Sequence, residues 1–368
     1  SSERFSFESQ MVVAQIDYEM LRAERRNNTT FINAQRPTSL SHTLPQVRFI
    51  NCHSTQIRDF VLERYVNPTP FIPASTDMKE SCEEIFNIQV AGLAKRLVHT
   101  NCNTVVIGIS GGLDSTLALL VCVKTFDKLK LPRTGIVGVT MPGFGTTDRT
   151  YTNAMTLMKE LGISIREISI RDACIQHFKD LDHDINVHDV TYENGQARER
   201  TQILMDLSNK LNGMVIGTGD LSELALGWAT YNGDHMSMYG VNVSIPKTLI
   251  KYMVTYVADY EVEKECHDVL VDIIDTPISP ELIPADDEGN ITQKTEDLVG
   301  PYILYDFFLY YFLRQGFRPD KIFMLAQKAF ALGTDHYYEE ETIKKWLNTF
   351  LRRFFNQQFK RSCLPDGP

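Results

Sequence analysis

The stretch TVVIGISGGLDS, residues 104–115, decides the fold of this chain. A β-branched apolar run breaks at two glycines and then enters a helix, which predicts a buried strand followed by a tight loop. Gly111 and Gly112 let the backbone approach a ligand without a Cβ clash, and the unpaired N–H groups at a helix start point at anions. Hydroxyl groups at Ser110 and Ser115 add hydrogen-bond donors. The stretch therefore predicts a phosphate-binding loop.

Two better-known phosphate loops do not fit this stretch. A Walker loop needs a lysine before its final Ser or Thr, and residues 104–115 contain no lysine. The dinucleotide fingerprint needs three glycines in G-x-G-x-x-G spacing, which is absent here. Asp114 would repel a bare phosphate, so its presence indicates a divalent cation that bridges the carboxylate to the phosphate.

A different class of enzyme also matches part of the stretch. Residues 108–112 satisfy G-x-S-x-G, the nucleophile elbow of α/β-hydrolases, which would make Ser110 an acyl-enzyme nucleophile. The sequence shows no HGGG-type oxyanion segment, and Asp114 one turn later would disfavour a developing oxyanion. Phosphate binding is therefore favoured, and a serine hydrolase stays open as the alternative.

Strand-like and helical segments alternate along the chain after this loop. The predicted strands are 104–109, 135–141, 163–170, 214–218 and 241–245, and the helices between them include 115–126, 150–161 and 196–211. Strands that are apolar on both faces predict a parallel sheet covered by helices on both sides. We therefore expect an α/β fold with three α/β/α layers, a five-stranded parallel sheet and a helical C-terminal extension.

Composition limits the class of protein. The chain has 368 residues and a formal net charge of −10, which argues against bulk nucleic-acid binding because that requires a basic surface. Its seven cysteines form no C-x-x-C pair and indicate reduced cytosolic thiols. No run is long and apolar enough to span a bilayer, and no signal peptide is visible. We expect a cytoplasmic protein that binds neither nucleic acid nor membrane.

Glu223 is the second candidate for chemistry. It follows the predicted strand 214–218 and lies three residues after Asp220, which is also the spacing of a helix capping box. In isolation the capping interpretation is favoured. Beside a phosphate loop, however, a carboxylate on the next strand's helix would lie close to Asp114, and two carboxylates with phosphate oxygens and waters suit Mg²⁺.

Basic side chains supply the third set of candidates. A helix predicted to begin at Gln196 would carry Arg198 and Arg200 in its first turns, against the helix dipole, and an anionic ligand would explain that placement. An ordinary solvated helix face is the alternative. Lys247 follows Pro246 at the end of the predicted fifth strand, where it could neutralise phosphates or be an ordinary exposed lysine without a binding role.

Six short motifs carry a family resemblance. They are SGGLDS (110–115), ENGQARER (193–200), GTGDLSE (217–223), YNGDH (231–235), IPKT (245–248) and ISPEL (278–282). Their order and spacing are similar to those of NAD synthetases, which are N-type ATP pyrophosphatases with an adenine nucleotide alpha-hydrolase-like fold. The resemblance runs from about residue 67 to the end. It is strongest to the synthetase domains of glutamine-dependent, two-domain members.

The resemblance implies a ligase that forms a carbon–nitrogen bond. ATP, as co-substrate with Mg²⁺, would adenylate the nicotinate carboxylate of deamido-NAD with release of pyrophosphate, and ammonia would then attack to give NAD and AMP. Another N-type ATP pyrophosphatase, such as GMP synthetase, is the nearest alternative. A catalytically silent nucleotide-binding module is a further one, which the acidic pair disfavours.

The resemblance also assigns roles to residues. It gives catalytic roles to Asp114, Glu223 and Lys247, with the first two as Mg²⁺ ligands. The residues implied to bind ATP or pyrophosphate are Ser110, Gly111, Gly112, Asp114, Ser115, Thr218, Lys247 and Ser279, and those implied to bind deamido-NAD are Asn194, Arg198 and Asp234.

Domain organisation follows from the same resemblance. Residues 1–30 resemble the tail of a nitrilase-like glutaminase domain, 31–75 form a linker, 76–330 form the synthetase domain and 331–368 a helical tail. The body of the glutaminase domain is absent from this sequence, so ammonia would come from that domain of a longer chain. We also expect a homodimer or a higher homo-oligomer.

Overall fold

The computed structural model describes residues 3–33, 48–50, 61–145, 148–276 and 300–368. Contacts divide the chain into two compact units. One contains Ser1–Pro68 and Phe307–Lys345, and the other contains Thr69–Asp306 and Trp346–Pro368. The second unit holds the sheet and all the predicted site residues that the structure describes. The predicted domain boundaries at residues 30, 75 and 330 stay predictions.

Five parallel strands form the sheet, in the order β3-β2-β1-β4-β5. Their bounds are β1 Val105–Gly108, β2 Ile136–Thr140, β3 Ser164–Glu167, β4 Met214–Gly217 and β5 Tyr239–Gly240. In the centre, Val105 is in register with Ile136 of β2 on one side and Met214 of β4 on the other. The carboxyl ends of β1 and β4 are therefore neighbours, which places the loops after them side by side.

Helices cover both faces of the sheet, as the alternating pattern predicts. Their bounds in this unit are α3 Met78–Thr100, α4 Leu113–Leu129, α5 Asp148–Glu160, α6 Arg171–Asp180, α7 Val190–Leu211, α8 Leu221–Leu226, α9 Lys247–Tyr260 and α10 Lys264–Ile274. Val105 and Ile107 point into the core with α3, α4, α5, α9 and α10. Val106 points to the opposite core with α6 and α7. The predicted three-layer α/β/α fold is confirmed.

The predicted fifth strand, 241–245, is wrong in position. The strand is only Tyr239–Gly240, because β4 ends at Gly217 and pairing stops there. The residues that follow turn instead, with the Ile245 N–H donating to the Asn242 carbonyl at 2.9 Å. The apolar alternation of 241–245 reflects burial in this turn, and Pro246 at its end is the N-cap of α9.

The predicted start of α7 at Gln196 is also wrong. The helix begins six residues earlier at Val190, where Asp189 caps it by accepting hydrogen bonds from the Thr191 and Tyr192 N–H groups. Arg198 and Arg200 therefore lie more than two turns inside the helix, and the dipole argument for an anion at its start does not apply. The predicted third strand, 163–170, is shorter at 164–167.

Helices continue to the C-terminus, as expected for the extension. They are α11 Tyr302–Leu309, α12 Pro319–Ala329, α13 Glu340–Asn356 and α14 Gln358–Arg361, and a π-helical turn at Tyr310–Arg314 follows α11. The unit without the sheet contains α1 Tyr18–Asn27, α2 Thr29–Asn33 and α12. Within that unit Asp17 caps α1 and forms ion pairs with Arg64 at 3.1 Å and Lys321 at 2.6 Å. No helix among the described residues is both long and apolar enough to cross a membrane.

Candidate functional site

The loop after β1 is built as the sequence predicts. Gly111 has φ +89°, and an added Cβ would collide with the backbone carbonyl of Thr150, so only glycine fits there. The Ser110 hydroxyl accepts from the Gly112 N–H at 3.2 Å and lies 3.2 Å from the Ser115 hydroxyl. Helix α4 begins at Leu113 without a side-chain cap. Its start therefore presents hydroxyls and unpaired N–H groups, which is the chemistry of an anion site.

The contacts of Ser110 do not support the hydrolase alternative. A hydrolase nucleophile needs a histidine base within hydrogen-bond reach. Among the described residues, the hydrogen-bond partners of the Ser110 hydroxyl are the Ser115 hydroxyl and the Gly112 N–H. The serine is therefore part of the loop's own hydrogen bonding.

Three carboxylates converge where β1 and β4 end. Asp114 on α4 and Asp220 and Glu223 at the start of α8 each offer an oxygen within 4.8 Å of the others. We call these three residues the carboxylate cluster. The closeness of Asp114 and Glu223 is as the sequence predicts. Asp220 was predicted only as a helix cap, and it does cap α8, with its Oδ1 accepting from the Glu223 N–H at 2.9 Å.

Lys247, the first residue of α9, lies in the middle of the carboxylate cluster. Its Nζ is 2.7 Å from Asp114 Oδ2, 3.0 Å from Asp220 Oδ2 and 2.8 Å from Glu223 Oε1. Burial alone would lower the pKa of the ammonium, but the three carboxylates raise that pKa well above its ordinary value. One cation faces three anions, so the ionised group keeps a net negative charge.

Burial also raises the pKa values of two of the carboxylates. Burial raises the pKa of Glu223, with Lys247 opposing the rise and Asp114 adding to it. Burial likewise raises the pKa of Asp220, whose side chain is fully enclosed. Groups with such perturbed pKa values, collected at the carboxyl edge of a parallel sheet, indicate a functional site.

The donor set of the carboxylate cluster fits a hard divalent cation. Mg²⁺ takes oxygen ligands and is commonly held by one or two carboxylates together with phosphate oxygens and water. Asp114 Oδ1 is buried and has no hydrogen-bond partner among the described residues. An orphaned carboxylate oxygen next to a second carboxylate is a suitable ligand, so the residues fit the predicted metal.

Asn242 joins the segments that follow β1 and β4, and sequence reasoning missed it. Its Nδ2 donates to the Asp114 carbonyl at 2.9 Å and to the Thr218 carbonyl at 3.1 Å. Gln89 of α3 donates to Asn242 Oδ1 at 3.1 Å, and both side chains are buried. Thr218 is thereby held beside Asp114, and its predicted contact with ATP stays a prediction.

The residues predicted to bind deamido-NAD meet around one turn. The Thr230 hydroxyl donates to Asn194 Oδ1 at 2.7 Å, and the Thr230 N–H donates to Asp234 Oδ1 at 2.6 Å. Arg198 Nε donates to the Tyr231 carbonyl at 3.3 Å. We call Asn194, Arg198, Thr230 and Asp234 the turn cluster. Its Asp234 contributes to the raised pKa of Glu223, so the two clusters influence each other electrostatically.

Ser279, predicted to bind phosphate, lies outside the described residues. Asp306 is a further position near the site that was not predicted. Asp306 hydrogen-bonds Ser222 and Thr248, which adjoin Glu223 and Lys247. No local motif marks Asp306, because it comes 58 residues after Thr248.

Basic side chains from the C-terminal segment satisfy the end of α8. Arg353 Nε donates to the Leu226 carbonyl at 3.1 Å, Lys360 Nζ to the Gly227 carbonyl at 2.8 Å, and Arg361 Nη1 to the Ala225 carbonyl at 2.9 Å. Cations suit the carbonyl end of a helix. The helix that carries Glu223 is thus fastened at both ends, by Asp220 at its start and by these three residues at its end.

Comparison with known proteins gives one consistent result. Residues 85–312 match the family described as NAD synthase. The chain is 42% identical to the glutamine-dependent NAD(+) synthetase of Mycobacterium leprae over 388 residues, and that match covers 100% of this chain and 57% of that protein. The glutamine-dependent NAD(+) synthetase of Thermotoga maritima is 28% identical, covering 88% of this chain and 51% of that protein.

Solved structures agree on the fold. A glutamine-dependent NAD(+) synthetase from Cytophaga hutchinsonii superposes with a TM-score of 0.61 at 18% identity, covering 78% of this chain and 50% of that one. The NMN synthetase from Francisella tularensis superposes with a TM-score of 0.56 at 23% identity, covering 77% of this chain and 95% of that one. This chain therefore spans little more than half the length of the curated relatives it matches.

Proposed function

Because the chain belongs to the NAD synthase family, we propose that it catalyses the ATP-dependent amidation of deamido-NAD to NAD. The nicotinate carboxylate would attack the α-phosphorus of ATP and expel pyrophosphate, and ammonia would then attack the acyl-adenylate and expel AMP. One observation carries the proposal: the carboxylate cluster and Lys247 meet directly beside the glycine loop after β1.

In this proposal the loop holds the leaving group. The unpaired N–H groups at the start of α4, with the hydroxyls of Ser110 and Ser115, bind the pyrophosphate portion of ATP. Gly111 and Gly112 keep Cβ atoms out of the phosphate's approach. Thr218, held next to this loop through Asn242, contacts the nucleotide. Ser279 is proposed to contribute a further hydroxyl to the phosphates.

Charge neutralisation is the proposed catalytic contribution of the cluster. Asp114 and Glu223 would hold Mg²⁺, which supplies positive charge to the triphosphate when bound. The Nζ of Lys247 lies within 3.0 Å of all three carboxylate groups. When Mg²⁺ binds those carboxylates, Lys247 would be released from them and would contact the phosphates that the Mg²⁺ contacts. Catalysis then consists of positioning and electrostatic stabilisation, and no covalent enzyme intermediate is needed.

The turn cluster is proposed to bind deamido-NAD. Asn194 and Asp234 both contact Thr230, and Arg198 contacts the next residue, so one small surface presents an amide, a carboxylate and a guanidinium. A planar guanidinium suits a phosphate or carboxylate of the dinucleotide. Ammonia would come from a glutaminase domain of a longer chain.

Two properties of the whole protein belong to the same proposal. We propose that it works in the cytoplasm, where thiols are kept reduced. We also propose that it assembles as a homodimer or a higher homo-oligomer. Light scattering coupled to size-exclusion chromatography measures that state directly, and a monomeric mass at micromolar concentration would contradict it.

A single incubation tests the proposed reaction. The chain is mixed with ATP, Mg²⁺, deamido-NAD and ammonium, and AMP and NAD are measured together. We expect equal amounts of both products, dependence on ammonium, and no reaction with glutamine in its place. AMP formation with XMP but not with deamido-NAD would identify a GMP synthetase instead. Labelling by a fluorophosphonate that Ser110→Ala abolishes would identify a hydrolase.

A further inference from the structure

Asp306 of α11 is a buried carboxylate that joins two parts of the site. Its Oδ1 accepts a hydrogen bond from the Ser222 hydroxyl, and its Oδ2 accepts from the Thr248 N–H at 2.9 Å and the Thr248 hydroxyl at 2.6 Å. The side chain is almost fully enclosed. Among the described residues, the carboxylate therefore accepts hydrogen bonds from Ser222, which precedes Glu223, and from Thr248, which follows Lys247.

The start of α9 needs such a partner. Pro246 occupies the N-cap and has no side-chain group that can accept a hydrogen bond from the first N–H groups of the helix. Asp306 supplies the missing acceptor from another helix, and its negative charge also suits a helix N-terminus. The first two residues of α9, Lys247 and Thr248, are held by this arrangement.

The same network reaches α8. The Ser222 hydroxyl donates to Asp306 and at the same time accepts from the Lys247 N–H at 2.9 Å. Ser222 precedes Glu223 in the first turn of α8. A continuous chain of hydrogen bonds therefore runs from the backbone of Lys247 through Ser222 and Asp306 to Thr248.

We propose that Asp306 is a positioning residue that fixes the starts of α8 and α9 against each other and so sets the Glu223–Lys247 geometry. It touches neither substrate nor phosphate in this assignment. The inference rests on the proposed amidation, because the distance it controls, 2.8 Å between Lys247 Nζ and Glu223 Oε1, matters only if those groups act on ATP.

The test begins with Asp306→Asn in the chain as it stands. An asparagine has one acceptor oxygen in place of two, so either Ser222 or Thr248 loses its partner. We expect ammonia-dependent kcat to fall about thirtyfold, as for loss of an oriented catalytic group, while KM for deamido-NAD changes less than twofold. Thr248→Val keeps the backbone contact and removes only the hydroxyl contact, so it should lose about threefold. Thr255→Val on the same helix, whose hydroxyl donates to the Lys251 carbonyl, is the control with unchanged kcat.

A double-mutant cycle separates positioning from general stability. If Asp306 acts through Lys247, then Asp306→Asn costs little further kcat when Lys247 is already methionine. An equal thirtyfold loss in both backgrounds would overturn the inference. So would an unchanged kcat for Asp306→Asn in a folded protein. If Asp306→Asn does not fold, Thr248→Val takes its place in the cycle. Its kcat loss should then be smaller in the Lys247→Met background than in the wild type, and an equal loss in both would overturn the inference. A wild-type chain without turnover would remove the proposed function and this inference together, whereas an active wild type beside an unaffected Asp306→Asn removes the inference alone.

Discussion

The carboxylate cluster and the turn cluster lie in the same unit but are held by different forces. Lys247 is surrounded by three anionic groups at 2.7–3.0 Å. In the turn cluster, by contrast, Asn194 and Asp234 bond to the hydroxyl and N–H of Thr230, and Arg198 bonds to a backbone carbonyl. The carboxylate cluster is therefore held by ion pairs with Lys247. The turn cluster is held by hydrogen bonds that charged or amide side chains form with neutral groups.

This difference indicates how each region would accept its ligand. Buried charges interact strongly and cannot be left uncompensated, so a cation or phosphate entering the carboxylate cluster must replace a partner that is already there. A hydrogen bond contributes about 1 kcal/mol between neutral groups and about 1.5–3 kcal/mol when one group is charged, whereas breaking a buried ion pair costs about 3–5 kcal/mol. A ligand can therefore exchange the bonds of the turn cluster at lower cost. Substitutions should therefore affect catalysis strongly in the first region and affinity moderately in the second.

The largest expected effect comes from Asp114 and Glu223, the carboxylates proposed to hold Mg²⁺. Asp114→Ala or Glu223→Ala should each lower ammonia-dependent kcat more than about a hundredfold, the scale seen when one electrostatic stabiliser is lost. Asp127→Ala, which removes an exposed carboxylate paired with Arg133 on the surface, is the matched control and should keep normal turnover. Near-normal turnover in either cluster variant would remove its assignment as metal ligand and the contrast between the regions.

The second prediction concerns the partner already present in the cluster. Lys247→Met leaves three carboxylates without their cation, so Mn²⁺, used as a paramagnetic substitute for Mg²⁺, should bind the nucleotide-free protein at least about tenfold tighter than it binds the wild type. Electron paramagnetic resonance of free Mn²⁺ measures this without any turnover. Lys251→Met, an exposed lysine one turn along α9, should leave Mn²⁺ affinity unchanged. Equal or weaker binding by Lys247→Met would show that the ammonium does not compete with the metal.

The contrast between the regions also shows what the sequence can reveal. Asp114 and Glu223 each follow an apolar strand within a few residues, so adjacent parallel strands bring them together, as predicted. Asp306 has no such local signature, because its partners Ser222 and Thr248 come from distant segments. Sequence patterns therefore locate groups tied to strand ends and miss groups that support them across the fold.

The wrong position of the fifth strand and the wrong start of α7 have the same physical origin. Gly195, the residue before the predicted helix start at Gln196, lies inside α7, and an added Cβ there would come within 2.7 Å of the Phe178 ring. Tertiary packing, which a sequence does not display, requires glycine there. In the same way residues 241–245 have a strand-like pattern but form a turn, in which the Asn242 side chain donates hydrogen bonds to the Asp114 and Thr218 carbonyls.

A moderate effect is expected in the turn cluster. Arg198→Lys keeps the charge but loses the planar fork, so KM for deamido-NAD should rise about fivefold while kcat changes less than twofold. Steady-state kinetics at saturating ATP and ammonium separates the two parameters. Arg166→Lys on β3, which lies on another part of the sheet, is the control. A loss in kcat as large as that of Glu223→Ala would mean that the two regions do not differ as proposed.

The smallest effect concerns stability and pH at Asp234. Asp234 is an exposed residue, but the protein atoms around its carboxyl group displace water and raise its pKa above the ordinary value, and the hydrogen bond from the Thr230 N–H only partly opposes the rise. A group whose pKa is raised on folding contributes most stability below its unfolded pKa, about 3.9, and loses that contribution as pH rises through its folded pKa. Asp234→Asn keeps an acceptor for Thr230 and cannot titrate. The free energy of unfolding of the wild type relative to Asp234→Asn should therefore decrease between pH 4 and pH 7, measured by urea denaturation. A constant difference across that range would show that folding does not raise the pKa of Asp234.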